Sequence, residues 1–437
     1  MKIVRAILDL EKNYGLLEWK IDGVFAWQAA RVSIYLKIQE LMGLQPNFAR
    51  SPKLLNRIGV LFHRGILNSI LLNPFLDISK HEVLVFESGR KYLVNGKYYD
   101  IYTKYLCDEL KSKNIKFRRY ESNYLYDNLG DERKGARHND FIAIVSKILS
   151  KFVKVSIGSS DIEEIKKIES EIKLKLNVSF DLLNLLHSEI RKFKSEYPLY
   201  KTLFRFKKAK QVYIVNSGNK APLIKAAKEN KMTVTELQHG IMVKEDLIDH
   251  FPDTPEDSLE YFPDKMEIWK ELNANTSKLP LSESNIILSE NRHLKYIKGR
   301  YNDIPRNSKK ILIVSQPVLS KQLLQFVLKN IQEMKDYQFV FKLHPTEESY
   351  FFETEDKDGL LKYSNLHIVD NSSSIYKLLA ESKYVIGIFS TSLFEAPYFG
   401  CKVFLLNLPG VEMASSLIES GNAKMLDIDS KLSVAVS

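Results

Sequence analysis

From Lys309 to Leu406 the chain alternates short, apolar, β-rich runs with stretches of helix length, and few folds accommodate that alternation. Ile311–Ser315, Phe339–Leu343, Leu366–Val369, Tyr384–Ile388 and Lys402–Leu406 read as strands. Lys321–Met334, Ser374–Ser382 and Ser392–Phe399 read as the helices between them. Strands separated by helices imply a parallel sheet in an α/β layer structure. Right-handed crossovers put helices on both faces.

The earlier part of the chain repeats the pattern less regularly. Glu82–Glu87, Ile115–Tyr120, Val212–Asn216 and Val234–Gln238 read as strands, with helices over 24–44 and Ile101–Lys111. A helical insertion near 160–200 reads as an amphipathic pair, without the sustained heptads of a coiled coil. Residues 276–308 are polar, carry Pro280 and Pro305, and read as a connection with a short helix over Glu290–Tyr301. A chain of 437 residues is also too long for one ordinary core. The expectation is two Rossmann-like α/β domains facing across a cleft. They cover 1–275 (acceptor side) and 309–437 (nucleotide-donor side).

The formal charge of +10 suits an anionic partner: a nucleotide diphosphate, an acidic membrane surface or nucleic acid. It is spread along the chain with no aromatic-plus-basic motif, so specific nucleic-acid binding is not expected. Cys107 and Cys401 stand far apart, which makes neither a disulfide framework nor a zinc pattern and fits a reducing cytoplasm. The opening MKIVRAILDLEKNYG does not read as a signal peptide. No uncharged apolar run of about eighteen residues occurs, so any membrane association is expected to be peripheral, at the inner face.

In open α/β sheets ligands sit beyond the carboxyl ends of strands. Three motifs fall there. His239 ends the run Glu236-Leu237-Gln238-His239-Gly240. An imidazole at a strand tip suits a general base, because its pKa lies near working pH, and Gly240 permits a tight turn or close ligand approach. The bland reading is a histidine bonded to nearby backbone. His344-Pro345 closes FVFKLHP, where Pro345 makes a rigid turn and His344 can offer an N–H to a phosphate. The alternative is a turn histidine packed on the strand end. Ser390-Thr391-Ser392 opens a helix. These residues read first as an N-cap, with Glu395 completing a capping box with Ser392, and also as an anion site. Ser372–Ser374 is a similar, weaker helix start. Ser315 and Gln316, closing their strand, are donor contacts by the same rule.

These His-Gly, His-Pro and Ser/Thr elements resemble bacterial GT-B transferases of surface polysaccharide synthesis. Among these are CDP-glycerol glycerophosphotransferases, sialyltransferases and capsule Kdo transferases. The run VIGIFSTSLFEAPYFGCKVFLL is similar to their donor-domain signature. The resemblance implies that His239 is the acceptor-side base and that His344 and Ser390–Ser392 bind donor phosphate. Glu395 would reach a ribose hydroxyl, and Gln238 and Gly240 would lie by the acceptor. The opening Trp19…Asp22-Gly23…Trp27…Arg31 looks like that of capsule and lipopolysaccharide transferases. It suggests Asp22 as a base, Arg31 as an acceptor contact and the tryptophans as sugar platforms. Core packing of the tryptophans and an N-cap role for Asp22 are the competing readings. The sialyltransferase acidic motif has no counterpart, since Gly130-Asp131-Glu132 runs in a different order.

Asp356-Lys357-Asp358 and Asp427-Ile428-Asp429 do not follow first-domain strands, so they read as solvated charge and no metal is expected. Nor is a cofactor beyond the nucleotide-sugar substrate. The implied activity is transfer of a sugar from a CMP-, CDP- or UDP-linked donor to a capsule, lipopolysaccharide or other glycan or glycolipid acceptor. The alternatives are polyol-phosphate transfer and nucleotide-sugar 2-epimerisation without hydrolysis.

Overall fold

The computed structural model describes residues 2–44, 70–94, 97–122, 136–270, 276–347, 351, 357–360 and 362–436. Gly130-Asp131-Glu132 and Asp356 lie outside them. In chain order, β1 (Lys20–Ile21) and β2 (Val24–Phe25) make a small hairpin. There follow β3 (Val83–Phe86), a second hairpin of β4 (Lys91–Val94) and β5 (Lys97–Asp100), then β6 (Phe117–Glu121) and β7 (Ala136–His138). β8 (Gln211–Val215), β9 (Thr233–Leu237), β10 (Lys265–Trp269) and β11 (Ile286–Ser289) complete the first half. The second half holds β12 (Asn307–Val314), β13 (Gln338–Lys342), β14 (Leu366–Val369), β15 (Ser382–Gly387), β16 (Lys402–Leu406) and β17 (Ala423–Leu426).

Two parallel sheets result. Their orders are β11-β10-β9-β8-β3-β6-β7 and β14-β13-β12-β15-β16-β17. Ranked by position in the chain, the second sheet reads 3-2-1-4-5-6, the doubly wound Rossmann order. The first has the same order with one more strand. Each sheet therefore reverses direction at one point, between β3 and β8 in the first and between β12 and β15 in the second. The expected pair of Rossmann-like domains is present, and the two face each other across a crevice.

Burial explains the elements. β3 is continuous Val, Leu and Phe and lies buried, and β12, β13, β15 and β16 each carry a buried apolar run, as interior parallel strands must. In the inserted pair, the helices Ser159–Leu176 and Leu182–Lys207 turn Ile165, Ile168, Ile172, Leu186 and Ile190 into a core shared with the N-terminal helices.

The polar stretch 276–308 is not a free connection. Within it, β11 pairs in parallel with β10, and the helix Arg292–Arg300 sends Leu294 and Ile297 into the second core. Only Glu290 and Asn291 separate strand from helix, and Asn291 caps that helix by accepting from Leu294 N–H at 3.0 Å. The many polar residues there face solvent, which hid a strand of four residues. A second link comes from the β4–β5 hairpin. Its Tyr92 packs against the second core and sets its hydroxyl 3.3 Å from those of Tyr301 and Ser374.

Candidate functional site

The crevice between the domains encloses about 660 Å³, counting its open mouth. Strand ends line it. Arg90 comes from the loop after β3, Gln238 and His239 from the end of β9, Trp269 from β10 and Ser289 from β11. Tyr102 and Tyr105 follow the β4–β5 hairpin. The second domain contributes Tyr376, Thr391 and Glu395.

Arg90 is the cation at the centre of this arrangement. The loop that carries it turns at Gly89, whose φ of 81° suits glycine. Buried Asp100 clamps the turn by accepting from Ser88 Oγ at 2.6 Å and Gly89 N–H at 3.0 Å. Arg90 Nη1 donates to the Tyr102 hydroxyl at 3.0 Å, and that hydroxyl donates to the His239 carbonyl at 2.7 Å. Tyr102, with Tyr376 and Glu395, raises the Arg90 pKa. The side chain reaches solvent and yet has protein around it, as expected in a concave site.

Its field is felt on both sides of the crevice. Burial, Lys220 and Arg90 lower His239 to about 4. Burial, Lys342 and Arg90 lower His344 to about 4. Burial and Arg90 lower His293 to about 3. Burial raises Glu395 to about 7 against the pull of Arg90. All three imidazoles are therefore neutral at pH 7.

His239 is part-exposed, with Nδ1 3.7 Å from Glu236 Oε1. Glu236 is fully buried; burial raises its pKa, opposed by Ser217 and Lys220. Lys220 is lowered to about 8, mainly by burial. Gln238 accepts from Trp269 N–H at 2.6 Å and donates to the Gly240 carbonyl at 2.7 Å. It is buried and shapes the His-Gly loop rather than offering itself to an acceptor. Gly240 does not need glycine for its own backbone: its φ is not positive, and an added Cβ would meet nothing within 4 Å. Gly240→Ala is thus expected to stay within about 0.5 kcal/mol of wild-type stability. Chemical denaturation measures this, and activity lost without stability would place a ligand against Gly240.

His344 lies outside the crevice lining. Its N–H donates to Glu347 Oε2 at 2.8 Å, and Glu347 Oε1 accepts from Ser315 Oγ at 2.8 Å. Ser315 is accordingly a buried strut and not a donor contact. Gln316 donates to the Phe389 carbonyl, joining the loops after β12 and β15 across the switch point, so its amide is also engaged. His344 Nδ1 lies 2.8 Å from Thr346 Oγ1 and 3.3 Å from Thr346 N, so the turn engages that ring nitrogen. Pro345 is an exposed turn residue.

At the third motif the cap is Ser390, whose Oγ accepts from Ser392 N–H at 3.3 Å. The expected box between Ser392 and Glu395 is not made. Glu395 is buried toward Tyr376, whose hydroxyl donates to it at 3.5 Å. The helix Thr391–Glu395 has only five residues, too few for a strong dipole. Thr391 lines the crevice, whereas Ser390 and Ser392 do not.

Two N-terminal candidates are placed elsewhere. Asp22 sits in the β1–β2 turn with φ 50°, ion-paired with Lys194 and accepting from Ser156 N–H at 3.1 Å. The hydrogen bond from Lys194 lowers its pKa most. It neither caps a helix nor reaches the crevice. Arg31 is buried on Glu11 at 2.7 Å, donates to the carbonyls of Leu247 and His250, and stacks on Phe251. It is a core residue, closed to an acceptor. Trp27 is buried beside it and donates to Glu11 at 2.8 Å. Trp19 donates to Asp161 at 3.2 Å. Asp429 pairs with Lys329, and Asp427 accepts from Asn407. Among the described residues no helix is long and apolar enough to cross a membrane.

Arg90, Tyr102, Trp269, Glu236 and His293 were missed in the sequence. Ser88-Gly89-Arg90 directly follows the run EVLVFE, so the strand-end rule pointed to Arg90. Trp269 ends a strand, KMEIW, whose alternating charges concealed it.

No family model matches the chain, and a search of curated proteins finds no match. Solved structures resemble it weakly. The UDP-GlcNAc 2-epimerase of Methanocaldococcus jannaschii, in complex with UDP-GlcNAc and UDP, is 12% identical with a TM-score of 0.44, over 79% of this chain and 88% of that one. A glycosyltransferase of kitacinnamycin is 10% identical at 0.44, over 82% and 90%. MurG of Acinetobacter baumannii is 11% identical at 0.38, over 82% and 89%. Such distant likenesses carry nothing about activity; the architecture stands on the strand order itself.

Proposed function

We propose that this chain is a glycosyltransferase that moves a sugar from a nucleotide-activated donor to a glycan or glycolipid acceptor without a metal. The carrying observation is Arg90. It is a guanidinium in a crevice built from the strand ends of two Rossmann-type sheets, and its charge reaches His239 on one side and His344 and Glu395 on the other. A fork of N–H donors in a concave site suits a phosphate group.

In this reading neutral His239 takes the proton of the acceptor hydroxyl. The acceptor oxygen bonds to the anomeric carbon as the bond to the donor phosphate breaks. Arg90 stabilises the charge on the leaving nucleotide. Glu236 lies behind His239, 3.7 Å from its Nδ1, and Glu395 would accept from a ribose hydroxyl.

His239→Ala is expected to lower transfer by about 10²–10⁴-fold, the usual worth of a general base. Nucleotide binding, read as a thermal shift, should persist. Full transfer by the folded variant would sink the reading. The base works when deprotonated, so the acid limb of kcat/KM should fall near pH 4 rather than 6.5. Glu236 and Lys220, titratable groups behind His239, also favour a second reading in which the sugar nucleotide is isomerised by acid–base chemistry alone. Product analysis without acceptor separates the two, because only the second yields an altered sugar nucleotide.

A further inference from the structure

The segment 70–78 and the helix Asp140–Leu149 lie side by side at the β7 edge of the first sheet. His138 N–H donates to the Leu72 carbonyl at 2.9 Å, and the rings of Phe75 and Phe141 meet edge to face at 5.8 Å. The helix is held from within: Ile142 enters the core beside Tyr200 and Phe204, and Asn139 donates to the Tyr200 hydroxyl at 2.8 Å.

Its outer side is apolar and, among the described residues, uncovered. Ile144 and Ile148 stand one turn apart, with Phe152 four residues further on, and they are 37%, 54% and 78% exposed. On the neighbouring segment Leu71, Leu76 and Ile78 are exposed as well, at 67%, 62% and 95%. These side chains are not on a frayed segment. Asp77, between the last two, is buried and paired with Lys207 at 2.9 Å and Arg118 at 2.8 Å.

The exposed charge on these two segments has one sign. Over residues 70–80 and 139–154 the exposed ionisable side chains are Lys80, Lys147, Lys151 and Lys154, while the two acids, Asp77 and Asp140, are buried. A second copy docking the same face would set lysine against lysine. A sheet of anionic headgroups over hydrocarbon matches both features: the apolar strip enters the boundary, and the lysine stems lie along it with their ammonium groups in the phosphate layer.

We propose that this strip docks the chain on a membrane surface rich in anionic lipid. The assignment is independent of the chemistry in the crevice, since none of these residues lines it.

The test is co-flotation of the full chain with phosphatidylcholine vesicles, with and without phosphatidylglycerol. Binding is expected only with phosphatidylglycerol and should weaken as salt rises. Ile148→Asp with Phe152→Asp should lower the bound fraction about tenfold or more. Lys147→Gln, Lys151→Gln and Lys154→Gln, which leave the apolar packing alone, should each lower it several-fold. Nucleotide thermal shifts unchanged in these variants would show that the crevice is intact. Equal binding to neutral vesicles, or binding that neither set of substitutions reduces, would overturn the proposal. So would a dimer in light scattering that the paired Asp substitutions dissolve, which would assign the strip to a second copy.

Discussion

Arg90→Ala is expected to remove nucleotide binding almost entirely. Deleting a hydrogen-bonded guanidinium that meets a ligand phosphate costs roughly 2–5 kcal/mol, or about 30-fold to several thousandfold in affinity. Calorimetric titration with UDP, CDP and CMP compounds measures it. The same substitution has a second signature that a merely structural residue would lack. Arg90 helps to lower His239, His344 and His293, so all three imidazoles should titrate at higher pH in the variant. Their ring protons in NMR report this directly. Arg90→Lys keeps the charge and loses the fork, so it should fall between the two. Wild-type affinity in folded Arg90→Ala would remove the proposed anion site.

Arg31→Ala should cost about 3–5 kcal/mol of folding stability, the usual consequence of stranding one partner of a buried ion pair. Glu11 would lose its guanidinium, and the Leu247 and His250 carbonyls would lose their donors. Urea unfolding gives the number. An acceptor-binding arginine predicts the reverse pattern, unchanged stability with a raised KM, so the two roles are separable in a single variant.

In the second domain β12, β13, β15 and β16 were legible because each holds a buried apolar run, whereas β17, whose Lys424 and Met425 are exposed, was not read. The strand-end rule then led to His239, Thr391 and Glu395 in the crevice wall. Other parts were hidden for physical reasons. β10 alternates charged and apolar side chains, and β11 is only three aliphatic residues and a serine within a polar stretch, so neither stands out from a loop. Ser315 and Gln316 also end a strand, but their side chains are consumed in holding the neighbouring loops. Asp22 and Arg31 looked chemical because charged residues beside tryptophans are unusual; burial shows that the charge serves the fold. Glu236 and His293 became visible only when distant segments closed around them.

Among the described residues the chain passes from one domain to the other once, and there only Glu290 and Asn291 lie between a strand and a capped helix. That joint has no slack. It keeps the end of the first sheet and the start of the second lobe within two residues of each other. On the hairpin side the Tyr92 hydroxyl works as a latch, with two contacts worth about 1 kcal/mol each. Arg292 adds a second tie close by, pairing with Glu109 at 2.8 Å and donating to the Tyr105 carbonyl at 3.3 Å.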